Sequence, residues 1–284
     1  PPLPEGQFND FTGVAVFASD YANPRIYTTN VAFEQEIAPG WALYFDFTHA
    51  KGVHLTRFID INNLGNFGPP TTLPANGDKA VYLGPPPFAP LGSVFVTFSN
   101  GKSLYRGFTA GLRKRFSKGF QMEGNYVWSK DLDDDSNERD PFTDRAFDQT
   151  DLSKDYALSD RDIRHKFNFY TYFEPGWGME ATARIQARSA QPITQSPRVQ
   201  NFVDRGRNGT RKDNEYFSFD WRLQRPFKLG ERTALMPIIE MFNTFNNKNN
   251  VNPLTTPPLT NFDGFLRFGV GDPLQLQLAL KLTF

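Results

Sequence analysis

The chain ends in Leu274-Gln-Leu-Gln-Leu-Ala-Leu-Lys-Leu-Thr-Phe284, where large apolar residues alternate with polar or small ones. Side chains of a β-strand point to opposite faces with a period of two, so this stretch predicts a strand with one apolar and one polar face. A soluble edge strand this long and apolar would promote aggregation. A strand of a transmembrane β-barrel, by contrast, has lipid on one side and a wet lumen on the other. The C-terminal stretch therefore predicts a membrane-spanning β-strand.

Composition narrows the class of protein further. The 284 residues carry 31 basic and 31 acidic side chains, so no general attraction to nucleic acid is expected. Mean hydropathy is −0.51, and no apolar run approaches the ~18 residues of a membrane helix. Aromatic residues make up 15% of the chain, as aromatic girdles of a barrel require, and cysteine is absent. These values exclude a helical membrane protein and a disulfide framework, but not a β-barrel.

Eight further segments repeat the alternation of the C-terminal stretch. Their lengths, near ten residues, match a tilted strand that crosses a membrane. They lie at residues 31–37, 41–48, 108–116, 120–129, 166–173, 179–188, 217–227 and, more weakly, 233–245. The sequence thus predicts nine strands, or ten if residues 11–18 form a further one. We expect residues 1–27 to form an N-terminal loop segment and residues 28–284 to form the strands.

The connections between these segments alternate strictly in length. Short turns at residues 38–40, 117–119, 175–177 and 230–232 separate long polar or Pro/Gly-rich stretches at 50–103, 130–162, 189–215 and 247–272. Outer-membrane barrels have short periplasmic turns and long extracellular loops. The predicted fold is therefore all-β, a partial antiparallel transmembrane β-barrel of about 9–10 strands in the bacterial outer membrane.

The odd strand number carries its own expectation. Single-chain bacterial barrels have even numbers of strands. Nine strands would also leave two edges whose backbone groups cannot stay unpaired in hydrocarbon. Since the chain begins at Pro1 without a methionine, we expect it to be the C-terminal part of a larger barrel.

Short motifs in a fixed order resemble one family of outer-membrane proteins. They are Asn23-Pro24-Arg25, Phe33-Glu34-Gln35-Glu36, Phe47-Thr-His-Ala-Lys-Gly-Val-His-Leu55, Ile61-Asn62, Ser103-Leu-Tyr-Arg-Gly-Phe108, Leu112-Arg-Lys-Arg-Phe-Ser-Lys-Gly-Phe120, Tyr126-Val-Trp-Ser-Lys-Asp131, Leu158-Ser-Asp-Arg-Asp-Ile-Arg-His165, Glu240-Met-Phe-Asn-Thr-Phe-Asn246 and the terminal strand. On these motifs the chain resembles the C-terminal barrel region of Oar-like TonB-dependent receptors, of the acidobacterial and myxobacterial type.

The resemblance implies a transporter barrel of about 22 strands around an N-terminal plug. It implies outer-membrane lipid as the surroundings. It also implies contact with the TonB system only through an N-terminal part that is not in this chain. The alternatives are a passive, porin-like barrel of about ten strands and a surface adhesion or assembly protein anchored by its barrel. The substrate is not indicated.

Candidate functional residues follow from the predicted faces and loops. We interpret the end of the last strand as a signal for the barrel-assembly machinery, carried by Leu280, Leu282 and Phe284. The lumen-facing candidates are Arg184, Arg188, Asp220 and Arg222. The three arginines would attract an anionic substrate or contact the plug; the alternative is that the whole set forms a solvated polar wall. The candidates for an extracellular contact surface are Asp133, Asp134, Asp135, Arg139 and Arg145.

Motifs for metals and catalysis are weak. Asp131, Asp133 and Asp135 have the spacing that begins an EF-hand, but Ser136 and Phe142 replace its required Gly and Glu. Calcium held by the loop stays an alternative to a solvated acidic loop. The three histidines lack zinc-ligand spacing, and no nucleophile motif occurs. The sequence therefore predicts neither an enzyme nor a cofactor.

Overall fold

The computed structural model describes residues 14–62, 88, 94–134, 152–193, 208–211, 214–249 and 272–284. These residues form β-strands and one short 3-10 helix, Leu152–Asp155. Within these ranges no helix is long and apolar enough to cross a membrane. The strands are β1 (Val14–Phe17), β2 (Arg25–Ala38), β3 (Trp41–Asp60), β4 (Val94–Ser117), β5 (Phe120–Asp133), β6 (Ala157–Leu158), β7 (His165–Gly176), β8 (Met179–Arg188), β9 (Pro192–Ile193), β10 (Thr210–Arg211), β11 (Tyr216–Gln224), β12 (Phe227–Lys228), β13 (Ala234–Phe242) and β14 (Gln275–Thr283).

Nine long strands form one antiparallel meander. Their order across the sheet is β2-β3-β4-β5-β7-β8-β11-β13-β14, and each pairs with its neighbours in the series. This confirms the nine alternating segments and the antiparallel fold. Among the described strands, β2 pairs only with β3 and β14 only with β13, so the sheet is open.

The short turns at one end of the sheet are tight hairpins. In the β4–β5 turn both central residues have positive φ, 54° at Lys118 and 71° at Gly119. The β7–β8 turn repeats this with Trp177 at 52° and Gly178 at 71°. Two successive positive φ values are the signature of a type I′ turn, whose twist matches that of the flanking strands. Glycine at the second position allows the chain to reverse in two residues.

At the opposite, outer end the strands run further than predicted. Loops were expected from residues 50 and 130, but β3 continues to Asp60, β4 begins at Val94 and β5 continues to Asp133. The β3–β4 pairing shifts between Gly52 and Leu55 and again before Arg57. Such bulges add unpaired residues and break a period of two, so the alternation does not reveal these extensions.

Two N-terminal boundaries also differ from expectation. β2 begins at Arg25, before the predicted boundary at residue 28, because the outer extension of β3 gives it a partner as far as Val53. Residues 11–18 do contain a tenth strand, β1. It pairs in parallel with β4 from Val94 to Thr97, at the outer end of the sheet.

Buried apolar side chains concentrate at this outer end. Ile59, Val94 and Val96 are 5%, 8% and 6% exposed, and the rings of Phe58 and Phe95 stack with centroids 5.0 Å apart. Elsewhere in the described sheet only Ala181 and Ile238 are comparably buried. The sheet therefore has a small core of its own only where it extends past the predicted membrane crossing.

Candidate functional site

The register of the sheet defines a polar face. Residues directly opposite each other on neighbouring strands share a face, and one such row runs across five strands. It consists of Arg113, Glu123, Tyr170, Arg184 and Asp220. The other predicted lumen candidates, Arg188 and Arg222, lie at even spacings from Arg184 and Asp220 and so belong to the same face.

In the β2–β7 half, hydrogen bonds tie the polar face together across strands. Arg113 forms an ion pair with Glu34. The hydroxyls of Tyr44 and Tyr170 donate to the two carboxylate oxygens of Glu123 over 3.1 Å and 2.8 Å. The Tyr44 ring lies across Gly111, where an added Cβ would overlap it. An aromatic ring covering a glycine replaces the missing side chain and pins the register.

In the β8–β13 half, charges and amides form a second chain of contacts. Arg222 lies 3.4 Å from Glu240 and donates from Nε to Gln224 over 2.8 Å. Gln224 in turn donates to Glu180 over 2.5 Å. A shallow depression of about 330 Å³ opens here, lined by Tyr172, Glu180, Thr182, Arg222 and Gln224. This part of the face is a braced polar wall.

The remaining lumen candidates differ in their contacts. Arg188 donates to Gln191 over 3.0 Å, and its guanidinium lies 5.8 Å from the centre of the Tyr216 ring. Asp220 accepts from Ser218 Oγ and from the Asn243 backbone. Arg184 is exposed, and its side chain makes no hydrogen bond or ion pair with another described residue. It differs in this from the other three candidates, and a role for any of the four stays a prediction.

The opposite, apolar face carries the predicted assembly residues. Leu280, Leu282 and Phe284 are 67%, 53% and 92% exposed, and the two leucines lie beside Leu278 on one face of β14. The structure gives their position, and recognition by the assembly machinery stays a prediction.

Lys114 is a cation on the apolar face of β4. It lies opposite Trp41 and Met122 and in step with Leu112, so the alternation itself assigns it to this face. Its ammonium donates to the carbonyl oxygens of Ser117 and Phe120 over 3.0 Å and 2.7 Å. The charge thus reaches back to the short turn, as basic side chains do at a membrane interface.

A cluster of buried charges, the outer cluster, holds the extracellular ends of the strands together. Arg57 of β3 pairs with Asp155 of the 3-10 helix over 2.5 Å, and their side chains are only 5% and 3% exposed. Arg211 of β10 pairs with Asp162 and donates to the Ala190 carbonyl over 2.6 Å. These pairs join segments far apart in sequence, so the outer cluster cross-links the outer ends of the strands.

The aspartates at the end of β5 belong to this outer cluster. Asp133 and Asp134 are 1% and 6% exposed, and Asp134 accepts a hydrogen bond from the Lys102 backbone. Burial, and then the charge of Asp133, raises the pKa of Asp131 to about 6. Burial also raises the pKa of Asp134.

This burial bears on the predicted extracellular contact surface. The carboxylates of Asp133 and Asp134 face the interior of the outer end and not solvent. Asp135, Arg139 and Arg145 lie outside the described residues, so a contact surface there stays a prediction. Within the described ranges, no three His, Asp or Glu side chains group so as to hold a metal ion.

Comparison with known proteins adds a family to this geometry. A family model described as an outer membrane beta barrel domain matches residues 2–191, about two-thirds of the chain. The chain belongs to this outer membrane β-barrel family. Membership agrees with the antiparallel meander, its apolar face and its short turns, and it places the protein in the bacterial outer membrane. No curated protein matches the chain.

Solved structures show the same fold at low identity. The outer membrane transporter YddB of Escherichia coli aligns with a TM-score of 0.59 and 10% identity, over 96% of this chain and 34% of its own. The ferric-catecholate import receptor Fiu of E. coli gives 0.55 and 12%, over 94% and 29%. The ferripyoverdine receptor of Pseudomonas aeruginosa gives 0.52 and 13%, over 92% and 27%. The chain thus spans about a third or less of these proteins.

Proposed function

We propose that this β-barrel chain forms C-terminal strands in the wall of a TonB-dependent outer-membrane transporter of the Oar-like type. The observation that carries the proposal is the open nine-stranded meander, in a chain of which 96% aligns with about a third of an outer membrane transporter. Among the described strands β2 and β14 each have one neighbour, and each needs a second, since unpaired backbone is not tolerated in hydrocarbon. A wall of this kind transports a substrate and catalyses no reaction.

The polar face favours a barrel whose interior is filled by a plug over an open pore. Several of its charges are paired or braced across strands, as in the Tyr44–Glu123–Tyr170 and Arg222–Glu240 contacts. Satisfied polar networks of this kind make the wall rigid, as a barrel needs if its plug is to move inside it. Arg184, which has no partner among the described residues, is proposed as the wall's contact for an anionic substrate group or for the plug.

The size of the folded barrel tests this proposal. Native outer membranes would be run with and without heating on a denaturing gel and probed with an antibody to residues 262–284. If the protein is a transporter, we expect a heat-modifiable band on the order of 100 kDa, because a barrel of about 22 strands and a plug need a chain of about that mass. This chain alone has a mass of 32.3 kDa.

A heat-modifiable band near the mass of this chain would instead indicate a small complete barrel and would overturn the proposal. A large band whose protein lacks a plug would also contradict it. The second case is detected by sequencing the N-terminal peptides of the excised band.

A further inference from the structure

Three cations stand together on the apolar face just above the membrane crossing. Arg106 of β4 lies directly opposite Lys130 of β5, and Lys51 of β3 pairs with Leu104, two residues from Arg106. Directly opposed side chains have Cβ atoms about 5 Å apart, and diagonal neighbours about 7–8 Å. We call Lys51, Arg106 and Lys130 the basic patch.

The basic patch has no counter-charge of its own. All three side chains are exposed, and none makes an ion pair or side-chain hydrogen bond with another described residue. Like charges directly opposite each other destabilise a sheet. The acidic residues nearby in β5, Asp131 and Asp133, are paired with Tyr105 and Ser103 on the other face. An anion from outside the protein would relieve this repulsion.

The three cations lie at one height above the membrane. Lys51 follows Gly40 by eleven residues, Lys130 follows Gly119 by eleven, and Arg106 precedes Lys118 by twelve. At about 3.3 Å per residue and a tilt of about 40°, each lies roughly 30 Å from its short periplasmic turn. The apolar band of an outer-membrane barrel is about 25 Å tall. The basic patch therefore lies at the level of the outer headgroups.

Directly beneath the basic patch the same face turns aromatic. Phe47, Phe108 and Trp128 form one cross-strand row and are 43%, 38% and 54% exposed. Cations above a row of exposed rings match a lipid with an anionic head and apolar chains. A soluble anion would use only the cations.

The pattern is confined to one side of the sheet. At the corresponding height Ser189 follows Gly178 by eleven residues, and the neighbouring residue before β11 is an exposed Glu215. Basic residues that face lipid headgroups without binding a particular lipid would be spread around the wall. A cluster on β3–β5 indicates a defined binding position.

We propose that the basic patch binds the phosphate groups of an anionic lipid in the outer leaflet, whose chains pack on Phe47, Phe108 and Trp128. Arg106 would hold a phosphate through its planar fork, and the two lysines would act as point charges. The proposal depends on the outer-membrane location and is independent of what the protein transports.

Lipid retention by the full-length protein tests the proposal. The protein would be extracted in mild detergent and titrated with a phosphate-bearing lipid A or its dephosphorylated form, with bound lipid counted by native mass spectrometry. The double variant Arg106→Gln/Lys130→Gln should bind the phosphate-bearing form on the order of 30-fold more weakly, because each lost cation should weaken binding by somewhat less than tenfold. The loss should shrink at high salt.

The matched control is Lys166→Gln. Lys166 is an exposed cation eleven residues before Trp177, at a similar height but on the polar face. It should leave lipid binding unchanged. Heat-modifiability checks that each variant is folded.

Two outcomes would overturn the proposal. They are equal retention by wild type and double variant, and equal binding of the dephosphorylated lipid to wild type. The second comparison uses only wild-type protein, so it decides the question even if the double variant does not fold.

Discussion

At the outer end of the sheet Ile59 and Val96 are 5% and 6% exposed, whereas Leu278 and Leu280 in β14 are 70% and 67% exposed. The outer end buries its apolar groups against its own strands, as a water-soluble protein does. The membrane band presents them outward and relies on lipid to cover them. The same sheet is thus built for water at its outer end and for lipid in the membrane band. The aromatic row at Phe47, Phe108 and Trp128 lies at the boundary between the two regions.

Charges follow the same division. At the outer end the Arg57–Asp155 pair is almost fully buried, while the Arg113–Glu34 pair of the band has side chains 39% and 54% exposed. Removing one partner of a buried pair leaves an uncompensated charge, which costs about 3–5 kcal/mol. Exposed pairs are worth about 0–1 kcal/mol. The outer end should therefore be the more sensitive to loss of a charge.

The largest expected effect comes from Arg57→Met. The stranded Asp155 carboxylate should lower the local stability of the outer end by about 3–5 kcal/mol. Hydrogen exchange of residues 94–98 and 152–158 should accelerate, while the heat-modifiable barrel persists. The matched control Arg113→Met should change exchange little. Unchanged protection in Arg57→Met would show that the outer end does not depend on its buried pair.

Leu278→Arg tests the membrane side of the comparison. A charge facing lipid near mid-depth costs about 2–4 kcal/mol, so the yield of folded barrel in outer membranes should fall. The neighbouring change Gln277→Arg, on the polar face, should be tolerated. Equal yields of the two variants would contradict the assignment of the two faces of β14.

Gly111→Val tests the contact between the Tyr44 ring and the backbone of β4. An added side chain overlaps the ring, and overpacking of this kind costs about 1–3 kcal/mol. The temperature at which the barrel loses its heat-modifiable form should fall. Combining Gly111→Val with Tyr44→Ala should cost less than the sum of the single changes. Simple additivity would mean that the ring does not brace this strand.

The smallest expected effect is a pH dependence at Asp131. Its pKa is raised to about 6 from the ordinary 3.8, because burial and Asp133 oppose its charge. The folded state therefore holds this proton more tightly than the unfolded state. The resulting stabilisation is full below about pH 4 and is lost as the pH rises through 6.

Once exchange rates are corrected for the intrinsic effect of pH on amide exchange, protection at the end of β5 should accordingly be greater at pH 5 than at pH 7. Asp131→Asn should be more protected than wild type at pH 7 and should reduce the difference between the two pH values. Asp134→Asn serves as a comparison, because burial also raises the pKa of that carboxyl. The same pH response in wild type and Asp131→Asn would assign the effect to another group.

The sequence by itself determined the strands, their two faces and the order of the meander. In a meander each strand pairs with the next along the chain, so the alternation and the loop lengths are enough to predict the strand order. The terminal strand, the nine segments and the short turns near Gly40 and Gly119 follow from such local patterns.

Only the tertiary structure decided what depends on register and burial. Cross-strand pairing set Lys114 opposite Trp41 and Met122, and β3 continues outward past bulges at Gly52 and Leu55 that break the period of two. Pairing with distant residues buried Asp133 and Asp134, which the sequence had placed on an exposed contact surface. The basic patch likewise depends on register between residues dozens of positions apart. A period of two assigns a face, but the height and neighbours of each side chain come from cross-strand pairing.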